Sequence, residues 1–167
     1  MSTLATLQAP VVVFREEQNF DWRVYTLCGL LEIGTLLGCA QGRAWSFELV
    51  VALAGALAVG ALLIAVLLHM TTEANPAVVR VWFGWAPIYR RVILISSIRQ
   101  VEVVSFRPIA DYGFWGFGWG KNGERALFAR GNQGVRITLN DGSRLLIGSQ
   151  RPVALATAIE HVLHPGG

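Results

Sequence analysis

The side chains able to do acid, base, nucleophilic or metal chemistry are few in this 167-residue chain, and their spacing assembles no familiar set. His69 follows a long apolar tract, while His161 and His164 fall at the end of a C-terminal helical pattern. A histidine beside a helix's last carbonyls is accounted for without a metal. Asp111, Glu124 and Asp141 lie in or beside expected turns, where carboxylates cap backbone N–H groups. The two cysteines, Cys28 and Cys39, sit about three helical turns apart on one expected helix, too far for a bridge within it. No nucleophile elbow, phosphate-cradling lysine loop or dinucleotide fingerprint occurs. The expectation is a protein without catalytic residues, metal or cofactor, and without a small-molecule substrate.

One ionisable group stands where it is costly. Trp22 to Ala40, WRVYTLCGLLEIGTLLGCA, is nineteen mostly apolar residues with Glu32 at its middle, long enough to cross a bilayer. Cys28, Glu32, Thr35 and Cys39 fall on one side of this helix, with Tyr25 beside them. Lipid would not favour such a stripe, so it should face protein, with Glu32 protonated or bonded to a donor. Two roles fit Glu32: a proton or ion relay, or a packing and hydrogen-bonding residue at a helix interface. A relay normally needs a second ionisable group, and the next apolar tract offers none, so the packing role is expected.

That second tract, Leu49 to Leu68, runs twenty residues without a charged or strongly polar side chain. At about 1.5 Å rise per residue it spans a hydrocarbon core of about 30 Å. A buried soluble helix of this kind would need a large domain wrapped around it, which 167 residues cannot supply. Gln41 to Ser46 can only turn the chain back, so Trp22 to Met70 is expected as a two-helix hairpin with both termini in one compartment. Eleven basic and six acidic residues follow Met70, and only Arg43 lies in the connection, which places that compartment in the cytoplasm. The same positive balance suits an anionic leaflet, whereas the dispersed arginines give no nucleic-acid signature. Residues 1–21 are mostly polar, unlike the short basic start of a cleaved signal peptide, so the hairpin should persist. The second helix carries two faces of small residues: Ala54, Ala58, Ala61 and Ala65 on one, Ala52, Ala56 and Gly60 nearly opposite. One can pack on the first helix, leaving the other for a second copy or a larger membrane protein.

From residue 73 to 164 the pattern changes to short β-rich runs broken by Gly, Pro and Ser. Expected strands are Val78 to Gly84, Tyr89 to Ile95, Val101 to Phe106, Glu124 to Arg130, Gly134 to Asn140 and Ser143 to Gly148. A three-residue turn at Asn140-Asp141-Gly142 pairs Ile137 with Leu145 and Val135 with Ile147, keeping apolar residues on one face. A final amphipathic helix follows, with Ser149 or a neighbour as cap, Pro152 in its first turn and Leu155, Ile159, Val162 and Leu163 facing inward. Val11 to Phe14 is a β-branched run that could add an edge strand or be a tail.

The segments TTEANPAVVRVWFG, YRRVILISSIRQVEVVSF, DYGFWGFGWG and GNQGVRITLNDGSRLLIGSQRP, with FREEQ ahead of the first helix, resemble bacterial membrane proteins that carry a pleckstrin-homology-like (PH-like) domain behind a transmembrane pair. The resemblance implies a membrane α-helical hairpin plus an α+β PH-like domain, an antiparallel barrel or sheet of about six or seven strands with a C-terminal helix. It implies a binding or assembly module of the bacterial inner membrane, often homo-oligomeric. The loop that binds inositol phosphates in eukaryotic PH domains would be Trp85, Ala86, Pro87 and Ile88, which lacks their basic cluster. Within DYGFWGFGWG, Tyr112, Phe114, Trp115, Phe117 and Trp119 are interface-seeking side chains spaced by glycines. They form either a loop that enters the headgroup layer or docks a partner, or a strand that packs its aromatics inward.

Overall fold

A computed structural model describes residues 12–41, 46–85, 87–113, 116–120 and 123–164. Val11, Arg43, Ala86, Phe114 and Trp115, on which some expectations fell, lie outside the described residues. The protein is α+β, with two sheets and four helices among these residues.

The chain enters through β1 (Phe14–Asn19), climbs α1 (Trp22–Ala40), descends α2 (Phe47–Leu67) and returns through β2 (His69–Ala74). β1 and β2 are antiparallel neighbours, in register from Phe14↔Ala74 to Asn19↔His69. The helix pair is therefore an insertion at the open end of a β-hairpin, and no flexible linker joins it to the sheet. Phe20 N–H extends the ladder to Leu68 O at 3.4 Å. The Tyr25 hydroxyl donates to the same carbonyl at 2.8 Å, one turn into α1. Asp21 caps α1 by accepting from Arg23 N–H, and Ser46 caps α2 by accepting from Leu49 N–H.

β3 (Val78–Phe83) and β4 (Tyr89–Leu94) complete a four-stranded antiparallel sheet in the order β1-β2-β3-β4. A 3₁₀ turn at Ile95–Ser97 leads to β5 (Ile98–Ser105), then α3 (Pro108–Tyr112), β6 (Gly116–Trp119), β7 (Arg125–Phe128), β8 (Gln133–Leu139), β9 (Arg144–Gly148) and α4 (Pro152–Leu163). The second sheet has the order β5-β8-β9-β7-β6. Its β7–β9 pair is parallel, because β9 turns back antiparallel from β8 and inserts between β8 and β7. The expected turn is present: Ile137 faces Leu145, Val135 faces Ile147, and Gly142 takes φ +81°.

Three elements differ from the sequence expectation. His69 and Met70, expected at the end of the second apolar tract, open β2, and Met70 is fully buried between the sheets. The edge strand is FREEQN, which takes only Phe14 from the expected Val11 to Phe14 run; Val12 and Val13 are exposed. β6 (Gly116–Trp119) realises the strand alternative for the glycine–aromatic segment, but not with its aromatics inward.

The main core lies between the sheets and under α4, where Met70, Val79, Val81, Ile93, Ile137 and Ile147 meet Leu155 and Ile159. A second cluster on the far side of the second sheet stacks Phe106, Tyr112 and Phe128 with centroids 5.0–5.8 Å apart.

β1 faces the core with Phe14, Glu16 and Gln18 buried and Arg15, Glu17 and Asn19 outward. The buried polar pair closes the junction of β9 with α4. Glu16 accepts from the Ser149 hydroxyl at 2.5 Å and from Gln150 N–H at 2.8 Å, and Gln18 Nε2 donates to Gly148 O at 3.0 Å. Ser149 in turn accepts from Arg151 N–H at 3.0 Å; Arg151, the N-cap of α4, makes no side-chain cap, and its guanidinium lies over the Phe14 ring at 5.0 Å. A buried carboxylate bonded this way contributes about 1.5–3 kcal/mol per charged hydrogen bond. Glu16→Ala should cost about 2–4 kcal/mol, whereas Glu16→Gln, which keeps one acceptor, should cost less than half as much. Thermal unfolding of the three proteins in one detergent checks this; equal melting temperatures would remove the latch.

Candidate functional site

The most unusual sequence, Asp111 to Gly120, is built around one ring. Pro108 starts α3 and Gly113, at φ +85°, ends it, which lays Tyr112 across the underside of β6. A Cβ on Gly118 would stand 2.8 Å from Tyr112 Cβ and 2.9 Å from its carbonyl oxygen, and one on Gly120 would stand 2.9 Å from the Tyr112 ring. Gly116, at φ +97°, passes over Phe20 at the foot of α1, where an added Cβ would stand 3.2 Å from the ring. The alternate glycines thus exist because β6 crosses two aromatic rings at backbone contact. The intervening residues must then point away, and Phe117 and Trp119 are exposed. The inward-packing alternative for these two side chains is corrected: the inward ring is Tyr112. Phe114 and Trp115 belong to the segment outside the described residues.

A small ionic network holds Tyr112. Its hydroxyl donates to Glu124 Oε2 at 2.6 Å, and Arg136 Nε donates to Glu124 Oε1 at 2.6 Å. Arg136 also stands 3.9 Å from Glu102. Burial, and next the Glu124 carboxylate, push the Tyr112 phenol well above its ordinary value near 10. Glu124 is thus more than a turn cap: it joins α3, the β6–β7 connection and β8. A polar cleft beside it is lined by Ser105, Asp111, Arg136 and Arg144, with like numbers of positive and negative groups.

Outward, an aromatic line joins β6 to the helix pair. Phe20 meets Phe83 at 5.9 Å, Phe83 meets Tyr89 at 6.2 Å, Tyr89 meets Phe117 at 5.5 Å and Phe117 meets Trp119 at 6.1 Å. Arg125 covers the Trp119 ring at 4.5 Å. Sequence reasoning missed Phe20, Phe83 and Tyr89 because nothing in their local pattern shows that three separate elements converge.

Both long helices are long and apolar enough to cross a membrane by length and composition. On α1 the buried or half-buried residues are Val24, Tyr25, Cys28, Gly29, Glu32, Leu36 and Ala40, largely a row of every fourth residue. Cys28 and Glu32 lie on that row, while Thr35 and Cys39 are exposed, the Thr35 hydroxyl donating to Leu31 O at 2.8 Å. The half-buried residues of α2 are Leu49, Leu53, Gly60, Ile64 and Val66. The Glu32 carboxyl lies against Gly60, where an added Cβ would overlap it. Ala54, Ala58, Ala61 and Ala65 are exposed on another side of α2.

Among the described residues, no three His, Cys, Asp or Glu gather where a metal could be held. His69 stands 3.9 Å from Glu17 and against Trp85, and His161 lines a groove between α4 and β5. No known protein family matches the chain, and no curated protein is similar to it.

Gly118→Ala should destabilise the fold by about 1–3 kcal/mol, since Tyr112 and its backbone cannot withdraw. Trp119→Ser should change stability by less than about 1 kcal/mol. Thermal unfolding in detergent compares the two; a tolerated alanine would contradict the crossing. Tyr112→Phe should cost about 1–2 kcal/mol at neutral pH. Because the native phenol holds its proton more tightly than the unfolded one, its contribution is complete below pH 10 and is lost as pH climbs toward the native value. The stability gap between wild type and Tyr112→Phe should therefore shrink above about pH 10. A gap constant to higher pH would rule out the linkage.

Proposed function

We propose that the chain is a membrane-anchored module that acts by binding and assembly, with no catalysis of its own. On this reading α1 and α2 cross a bacterial inner membrane as a hairpin. The sheet domain, PH-like in build, works at the cytoplasmic face, and the protein associates with its own copies.

The observation that carries the proposal is the exposure of α2. None of its 21 residues is buried, and Val50, Val51, Leu57, Val59, Leu62 and Leu63 stand open. Removing one such side chain from water is worth about 1.5–3 kcal/mol, so a helix of this composition requires lipid or protein on most of its surface. The pairing of Asn19 with His69 holds the start of α1 and the end of α2 at one level, which suits two crossings that begin and end on the same side. Arginines are concentrated on the domain's side of the helices, which suits the cytoplasm. Two sheets closed by a C-terminal helix suit a PH-like build. The exposed Ala54, Ala58, Ala61 and Ala65 face, turned away from Glu32 and α1, suits close approach of another helix.

One observation favours a second reading, an accessory subunit of a larger membrane complex such as a transporter. Glu32 is half-buried against a glycine, which offers no side-chain donor. A carboxyl at mid-membrane calls for a partner, and another protein could supply it.

Extraction of the full chain in mild detergent, followed by native mass measurement, separates these readings. A homo-oligomer that Ala58→Leu together with Ala61→Leu dissociates supports the first. A stoichiometric foreign protein, lost on Glu32→Ala, supports the second. A monomer that stays soluble without detergent defeats both.

A further inference from the structure

Large apolar side chains that are open to solvent on the sheet domain gather around the feet of the two helices, and they come from separate segments. Trp22, the first residue of α1, is 67% exposed. Trp85 and Ile88, in the β3–β4 turn, are 75% and 69% exposed. That turn is fixed to the end of α2, because Trp85 N–H donates to Val66 O at 3.1 Å and Gly84 N–H donates to His69 O at 2.7 Å. Ile109 on α3 is 58% exposed and shares a cleft with Asp21, Arg23 and Arg107 at the start of α1. Phe117 is 45% exposed on β6, whose first residue lies against Phe20. The other exposed large apolar side chains of the domain are Trp119, at the far end of β6 and covered by Arg125, and the smaller aliphatics Val12, Val13, Val92, Leu94, Val103 and Val153 on other segments.

Cations are interleaved with this ring. Arg23 lies 5.9 Å over Trp22, Arg107 borders Ile109, and Arg90 borders Pro87 in the β3–β4 turn. The carboxylates among them are engaged by backbone. Asp21 caps α1, and Asp111 accepts from Arg107 N–H at 2.7 Å while standing 3.6 Å from the Arg107 guanidinium. On the Trp85 side Glu17 is held by Arg15 at 2.6 Å, with His69 between it and the indole, and Glu73 lines the cleft of Pro87 and Arg90 together with Arg80.

We infer that this ring seats the sheet domain directly on the anionic phospholipid headgroup layer, with Trp22, Trp85, Ile88, Ile109 and Phe117 entering the interface and Arg23, Arg90 and Arg107 contacting lipid phosphates. The inference rests on the reading of α1 and α2 as membrane spans. Indole and aliphatic side chains flanked by guanidinium groups are the composition that partitions to the boundary of acyl chain and headgroup. The ring encircles the two points where an apolar hairpin leaves the domain, so the level of the bilayer and the level of the ring coincide. A protein partner would fit the apolar patches alone. It would not explain why they surround the helix feet from several segments, or why arginines alternate with them. No inositol-phosphate pocket is implied; the contact is with a charged surface.

The test uses the full chain with Cys28→Ser and Cys39→Ser, reconstituted in vesicles of phosphatidylcholine with or without phosphatidylglycerol. Single cysteines for a fluorophore are placed by Ile88→Cys and Ile109→Cys on the ring. Val59→Cys on α2 and Ser96→Cys at the opposite end of β4 serve as references. Labels at 88 and 109 should be quenched several-fold more by a nitroxide on the lipid headgroup than the label at 96, and several-fold less by aqueous acrylamide. The effect should grow with phosphatidylglycerol and fall with added salt or with Arg23→Gln and Arg107→Gln. If labels at 88 and 109 behave like the label at 96 while an acyl-chain nitroxide quenches the label at 59, the domain stands off the bilayer and the inference fails with the spans intact. If the label at 59 is not quenched from the acyl chains, the spans themselves fail. Labels at 88 and 109 shielded from both quenchers would assign the ring to a protein partner. Equal quenching with and without phosphatidylglycerol would remove the arginine–phosphate contact.

Discussion

The pairing of β1 with β2 is the constraint on which the rest of the structure depends. Two strands whose near ends, Asn19 and His69, are separated by 49 intervening residues are hydrogen-bonded neighbours, and those residues carry the helix pair. The apolar hairpin is thus an outgrowth of a β-hairpin and not a separate anchor joined by a tether. Phe20 and Tyr25 both bond to Leu68 O, so the first turn of α1 is tied to the end of α2 at the level where the sheet begins. The geometry of the helices and of the first sheet is therefore one rigid problem. Neither half can tilt without breaking ladder hydrogen bonds or pulling Phe20 out from between Phe83 and Gly116.

The same pairing explains why polar residues stand in the core. β1 must close the first sheet and also meet the end of β9, where the chain turns into α4 and backbone groups would otherwise lack partners. Glu16 and Gln18 supply those partners, and their alternation with outward-facing residues gives the strand its two faces. An apolar residue at position 16 would fill the space but leave the Ser149 O–H and Gln150 N–H donors without their acceptor, each at a cost of about 1–3 kcal/mol. The FREEQ segment is thus the part of the chain that joins the helix pair, both sheets and α4.

What could be read from the residues follows from how local each signal is. Both long helices were legible because unbroken apolar runs are a local property, and the β8–β9 register was legible because a one-residue slip would turn every apolar side chain outward. The C-terminal helix was legible from its amphipathic spacing. β1 was displaced by several residues because the hydrophobic signal favoured Val11 to Phe14 while the actual strand buries a glutamate and a glutamine. β2 was hidden because its first residues continue the apolar tract and its inner face carries Met70 and Thr72, a pattern too mixed to mark a strand. β6 stayed open between loop and strand for a tertiary reason: nothing in GFGW chooses between them until Tyr112 is known to lie beneath it.

The glycine–aromatic strand also shows how a fold can present aromatic side chains outward at no cost to its interior. Residues 116, 118 and 120 give up side chains so that Phe20 and Tyr112 can fill the space below the strand, and the pleat then obliges residues 117 and 119 to face away. Phe117 is held by Tyr89 and Trp119 by Arg125, so both rings are positioned before anything binds them. On the membrane reading, that order matters energetically. Because no linker separates the helix feet from the sheets, seating the domain on the bilayer would restrict few additional degrees of freedom. Modest gains from a few interfacial side chains are then sufficient, whereas a tethered domain would first have to offset the loss of its own rotational freedom.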